Sequence, residues 1–365
     1  MCIRDSITPD DSTLDFDQLR KTLSDIAHLS HKDWTRTGDN AEVLGKLLLP
    51  DGMSDEARSM LERIINEGRW DSAAKHASEV TGSQPWAVLV TGVNGIRKTT
   101  SMYQPWFPEL LAEALVAPPG KPTSFDPNIL PNGTNGFFRQ LDHMIAVLCN
   151  EDFRELYSLT GEEMNGKEEE PPKEVIQKYS NLKAAIFTRY RTLAELLGVL
   201  LLREAHKRNL NCMMETSGRD VAMFHYVDHF FPGQYNKLAL HFTINDLRFA
   251  QDSVDARMVD EMKCGIEAVQ AGDIRRMMYA NVGGPYGSEV LPGVQEDSDR
   301  VWNDVVLKNN DGGVGQDWYK ATIAIHAHET EPWTAQAVRS DGSLGKVFTF
   351  ELRSKKAGRK RTRDE

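Results

Sequence analysis

Cysteine is scarce in this chain and ordered nowhere. The 365 residues hold four, Cys2, Cys149, Cys212 and Cys264, with no C-x-x-C pair. That excludes a disulfide framework and a cysteine zinc site, and points to a reducing compartment. No apolar run approaches the ~20 residues of a membrane span. The start lacks the basic-then-apolar layout of a secretory signal. A soluble cytoplasmic protein with no membrane partner is expected. An excess of basic residues is missing too: 43 Lys and Arg stand against 54 Asp and Glu, for a net charge of −11. Such an acidic body disfavours non-specific binding to nucleic acid. The basic text gathers at the end, Arg353 to Arg363 (RSKKAGRKRTR), so nucleic acid is an expected partner only through that tail. The same cluster fits a nuclear-import signal, which would make the protein nuclear. Met1 to Ser6 (MCIRDS) reads unlike the text after it, and whether it is native is left open.

What is present suffices for a large core, since chains of ~300 residues bury about 75 % of their surface. The stretch that organises the rest is Trp86 to Thr100, WAVLVTGVNGIRKTT. Trp86 to Val90 has the length and β-branched content of a buried strand, and Gly92 and Gly95 supply a tight loop. Lys98 and Thr99 follow. This matches G-x-x-x-x-G-K-[ST], in which backbone amides cradle phosphate, the lysine adds charge and the hydroxyl holds Mg²⁺. Gly92, Asn94, Gly95, Ile96, Arg97, Lys98, Thr99 and Thr100 are therefore the candidate residues for ATP or GTP, with Thr99 as the metal ligand. Arg97 departs from the pattern, which wants glycine there. It turns away, adds a second charge to the phosphates, or marks a site that has lost tight binding.

Helical patterning covers Leu14 to Ser30, a stretch capped by Ser54 and ended by Gly68, and Trp70 to Val80, so residues 1–80 read as a helical N-terminal extension. The helix after Lys98 should be short because Pro105 removes an N–H, and Pro108 restarts one. Lys121 to Gly136 reads as a turn-rich loop and Phe137 to Leu159 as helix. Gly161 to Pro172 (GEEMNGKEEEPP) reads as an acidic, mobile insertion. Then come a helix over Lys173 to Lys207, a strand over Leu210 to Thr216, a helix over Val221 to Phe231, a strand over Lys237 to Ile244 and a helix over Asp246 to Val269. Strand and helix in alternation imply parallel pairing, with ligands beyond the carboxyl ends of the strands. Ala280 to Gly293 and Asn309 to Gly315 read as flexible. Tyr319 to Ala327, Thr334 to Ser340 and Lys346 to Leu352 read as strands joined by a turn at Ser340 to Ser343. The fold expected is α/β: a three-layer P-loop NTPase-type domain over 81–352 with a mostly parallel sheet, followed by a basic disordered tail over 353–365. Two histidine pairs, His225 with His229 and His326 with His328, have metal-ligand spacing but no third ligand nearby.

These stretches resemble the zeta-toxin-like kinases. GVNGIRKTT looks like that family's phosphate loop, and YSNLKAAI (Tyr179 to Ile186) like its substrate-domain helix. NLNCMMETSGRD (Asn209 to Asp220) is similar to its strand ending in Glu-Gly-Thr-Gly-Arg. LALHFTINDLRFAQDSVDARM resembles its next strand and arginine-bearing helix, and VRSDGSLGKVF its terminal hairpin. The resemblance implies an enzyme, a Mg²⁺-dependent kinase moving the γ-phosphate of ATP or GTP to a small hydroxylated metabolite such as a UDP-amino sugar. Lys98 would neutralise the transferred phosphate, while Arg219 and Arg257 stabilise its charge in flight. The family's base is an aspartate after the second strand, matched by Asp126 in SFDPNILP with Asp142 in reserve. Glu215, Thr216, Ser217 and Arg219 would contact substrate, and Arg275 and Arg276 resemble lid arginines. A non-catalytic nucleotide-binding scaffold and a polynucleotide-end kinase are the alternatives. The sequence identifies no protein inhibitor.

Overall fold

The computed structural model describes residues 15–27, 33–48, 55–80, 82–164, 171–281, 283–308 and 314–351. Four helices lead: α1 (Phe16–Ile26), α2 (Trp34–Leu48), α3 (Asp55–Glu67) and α4 (Trp70–Glu79). After them come β1 (Trp86–Thr91), α5 (Lys98–Met102), α6 (Phe107–Ala114), β2 (Gly136–Arg139), α7 (Leu141–Leu148), α8 (Asn150–Met164) and α9 (Lys173–Lys207). The chain continues through β3 (Asn211–Glu215), α10 (Ala222–Phe230), β4 (Asn236–Ile244), α11 (Leu247–Gln270), α12 (Ile274–Ala280) and α13 (Leu291–Arg300). It closes with β5 (Tyr319–His326), β6 (Thr334–Val338) and β7 (Phe348–Thr349).

The seven strands form one sheet of order β2-β3-β1-β4-β5-β6-β7. The first five in that order run parallel, β6 pairs antiparallel with β5, and β7 pairs antiparallel with β6. Every residue of β1 is buried, as a strand covered on both faces requires. Its alternating side chains divide between two cores. Ala87 and Leu89 join the cluster holding Ile145, Leu197 and Val227, from α7, α9 and α10. Val88 and Val90 join the cluster holding Leu110 and Val254, from α6 and α11. The protein is thus a mixed α/β structure with helices on both faces of a mostly parallel sheet. From β1 the chain leaves to one side of the sheet and from β4 to the other, so strand order reverses beside β1, where open sheets bind ligands.

The leading helices share the first of those cores, to which Leu19, Ile26, Trp34, Ile64 and Trp70 contribute. Trp34 meets Tyr226 edge-on at 5.1 Å and Trp70 meets Phe137 at 4.8 Å. No helix among the described residues is long and apolar enough to cross a membrane.

Three expectations need correction. Phe137 does not open a helix: Gly136–Arg139 is buried strand, registered against β3 from Gly136 beside Asn211 to Arg139 beside Met214. Both phenylalanines pack in cores, and Arg139 pairs with the buried Glu195 of α9, so tertiary burial overrides the local helical pattern. The supposed mobile insertion begins as helix, because α8 runs to Met164 with Thr160 buried; residues 165–170 lie outside the described residues. Ala280 to Gly293 is not simply a flexible loop, since Leu291 opens α13, and neither α12 nor α13 was foreseen. Ser54, Met1 to Ser6, residues 309–313 and the basic tail also lie outside the described residues.

Candidate functional site

The loop after β1 turns twice where only glycine fits. Gly92 has φ +121° and Gly95 φ +88°. A Cβ on either would lie 2.5 Å from the Phe242 carbonyl oxygen or 2.4 Å from that of Ala250, closer than any side chain tolerates. The loop is thereby pressed onto β4 and α11. Arg97 also takes a left-handed conformation, φ 63°, at the start of α5. The first backbone bond of α5 runs from Ser101 N–H to the Arg97 carbonyl, 2.8 Å, so the amides of Lys98, Thr99 and Thr100 have no intrahelical acceptor.

Lys98 is almost wholly buried. Its Nζ donates to the carbonyls of Gly92 and Val93, both at 2.8 Å, and pairs with Glu215 at 3.2 Å. Thr99 Oγ1 donates to the other oxygen of Glu215 at 2.8 Å. Glu215 ends β3, directly beside β1 through the pairing of Val90 with Glu215. Two strand ends therefore place an ammonium, a hydroxyl and a carboxylate within one contact sphere. The adjoining turn is locked to the loop: the Ser217 carbonyl accepts from Gly92 N–H at 3.2 Å and from Ser298 Oγ of α13 at 2.7 Å. Behind it, His241 on β4 contacts Thr91 Oγ1 at 2.8 Å, lies 3.5 Å from Asp299 and stacks on Trp302. Burial holds its imidazole below the usual histidine pKa.

Arg97, Thr99, Glu215 and Ser217 open into a cleft of about 1840 Å³. Asn94, Arg97, Thr99, Thr100, Glu215, Thr216, Ser217, Arg219, Arg257, Arg275 and Arg276 line it, while Gly92, Gly95, Ile96 and Lys98 lie behind its surface. Arg219 lies over the Tyr286 ring at 5.5 Å. Arg97 stacks on Trp333, with its guanidinium carbon 4.1 Å from the ring centroid. Among the described residues its side chain makes no ion pair or hydrogen bond, so of the readings offered for it the side chain has turned onto an aromatic face.

Asp126 is not brought here. Its carboxylate accepts from the backbone and side-chain nitrogens of Asn128 at 2.9 and 3.0 Å. Its neighbour Phe125 packs on Trp86 and Tyr319, the first residues of β1 and β5, so it lies at the amino ends of the strands, opposite the glycine loop. The misplacement follows from missing β2: the aspartate after the second strand is Asp142, in the first turn of α7. Asp142 lines the cleft. Burial raises its carboxyl pKa, a shift opposed by Lys183 and Arg257.

Sequence reasoning missed the support beneath it. Lys183 of α9 is fully buried, donating to Glu261 of α11 at 2.8 Å and to the Gly283 carbonyl at 2.9 Å. Tyr179 OH donates to Glu261 at 2.5 Å, and burial drives its pKa upward. The Arg257 guanidinium lies against Gly283, where a Cβ would sit 2.2 Å from its central carbon. The signal was present: Tyr179 and Lys183 stand four apart in YSNLKAAI, on one helical face. Among the described residues no group of three or more His, Cys, Asp or Glu could hold a metal ion, and the two histidine pairs gain no third ligand.

Comparison with protein-family models, with curated proteins and with solved structures finds no match to this chain.

Proposed function

We propose that the protein is a P-loop phosphotransferase that binds a nucleoside triphosphate with Mg²⁺ at the loop Gly92 to Thr99 and passes its terminal phosphoryl group to a hydroxyl of a small metabolite in the cleft. The observation that carries this reading is the convergence of Lys98, Thr99 and Glu215 at the carboxyl ends of β1 and β3. Oxygen donors are what Mg²⁺ takes, and it keeps several waters beside them. The Thr99 hydroxyl and Glu215 carboxylate would hold it, and the ion would neutralise charge on the phosphates. Asp142, raised in pKa at the cleft wall, accepts the proton of the acceptor hydroxyl as its oxygen bonds to phosphorus and the bridging oxygen leaves with the nucleoside diphosphate. Arg219 and Arg257 meet the charge of the phosphoryl group in flight. A small sugar nucleotide is the proposed acceptor class, by the resemblance alone.

A second reading, a nucleotide-binding scaffold without turnover, draws on the way Lys98 is committed to its own loop carbonyls. One experiment separates them. Lys98→Ala is expected to abolish phosphate transfer from ATP or GTP across a panel of hydroxylated metabolites while leaving the circular dichroism spectrum unchanged. Turnover equal to the parent protein's in that variant sinks the phosphotransferase. Binding of nucleotide by the parent with no transfer to any acceptor selects the scaffold.

A further inference from the structure

Arg97 and Lys98 adjoin in sequence yet have separate surroundings. Lys98 Nζ is buried among carbonyls and Glu215. Arg97 is half-buried and lies between Trp333, which is buried and does not border the cleft, and the cleft itself. One face of its guanidinium is covered by the indole. Phe350, 5.7 Å away, borders the cleft beside it. That ring is held in place: Trp106 meets it edge-on at 5.3 Å, the Trp106 indole N–H donates to the Thr349 carbonyl at 3.0 Å, and Glu351 N–H donates to Gln104 at 3.2 Å. The result is a flat cationic plate, backed by one aromatic and flanked by another, one residue from the candidate phosphate site.

We infer that Arg97 is a nucleobase platform rather than a phosphate ligand: a purine ring stacks on its open face, giving a Trp333–Arg97–purine sandwich with Phe350 alongside. This rests on the nucleotide-binding reading above and deepens it. Guanidinium is planar and weakly hydrated, so it stacks on π-faces where an ammonium would not. Stacking covers ring area and does not read base edges, so ATP and GTP bind alike and the smaller pyrimidine nucleotides bind more weakly. An arginine in place of the expected glycine thus keeps a purpose with its side chain directed out of the loop.

The test compares ATP with inorganic tripolyphosphate, which has phosphates and no base, by calorimetric titration with Mg²⁺. Arg97→Met is expected to weaken ATP about ten-fold and leave tripolyphosphate unchanged. Arg97→Lys, which keeps charge and loses the plane, should behave as Arg97→Met does. ATP should also change tryptophan emission where tripolyphosphate does not, and Trp333→Phe should remove that change. Equal weakening of both ligands in Arg97→Met, rescued by Arg97→Lys, makes Arg97 a phosphate ligand and overturns the platform. Unchanged or tighter ATP binding in Arg97→Met overturns it too. If Lys98→Ala weakens tripolyphosphate while the Arg97 variants alter nothing, the loop reading stands and the platform alone falls. If the parent protein binds neither ligand, both fall.

Discussion

Replacing Lys183 by methionine tests whether the cleft floor is built on a buried ion pair. Lys183 and Glu261 have side-chain exposures of 1 % and 0 % and meet at 2.8 Å. At an effective dielectric of ~20 that contact carries a gross attraction of about 6 kcal/mol. Most of it is cancelled by desolvation, and burial holds the lysine pKa below its usual value although Glu261 pulls it up. The pair is therefore worth little against an apolar substitute, whereas removal of one partner strands the other, at about 3–5 kcal/mol. In Lys183→Met, Glu261 keeps the Tyr179 hydroxyl but loses its ammonium partner, and the Gly283 carbonyl loses its lysine donor, about 1 kcal/mol more. A loss of about 4–6 kcal/mol is expected in urea unfolding followed by circular dichroism near neutral pH. The double variant Lys183→Met, Glu261→Met should recover most of it. The carboxylate stranded in the single variant has no cation to offset its buried charge, so the deficit relative to the parent should shrink in acid. A loss under about 1 kcal/mol, or a double variant as unstable as the sum of the singles, would refute the argument.

Asp142→Asn should lower turnover by about 10²–10⁴ if Asp142 is the base, while Asp126→Asn, whose side chain still caps its turn, leaves kcat and Tm unchanged; kinetics that silence only Asp126→Asn would reverse the assignment. Two histidines make the fold acid-sensitive. Burial lowers the pKa of His241 below 6.5 and that of His206 to about 4, so the unfolded chain takes up these protons first. Stability should fall as pH drops from about 6.5 through those folded values, with Asp142, raised in the folded state, opposing the trend. Urea midpoints across that range measure it, and a midpoint that stays flat or rises would contradict the burial of both rings.

The alternation of strands and helices from Trp86 onward, the short α5 before Pro105 and the 35-residue α9 were legible in the sequence because each rests on local chemistry: β-branched runs, a proline, a helical stripe. The loop was legible for the same reason, since Gly92, Gly95, Lys98 and Thr99 lie within eight residues and their spacing is itself the signal. Local text failed at Gly136–Arg139, where strand formation comes from pairing with β3, about 75 residues away. Missing that strand moved the expected base to Asp126, at the end of the sheet opposite the glycine loop. Only the tertiary structure brought Glu215 to Thr99, set Asp142 above Lys183 and Glu261, and laid Arg97 on Trp333. These residues stand about 41 to 236 positions apart along the chain, and no spacing rule reaches across such distances. The sequence by itself determined which residues could form a phosphate loop; folding decided which carboxylates and which aromatic faces surround it.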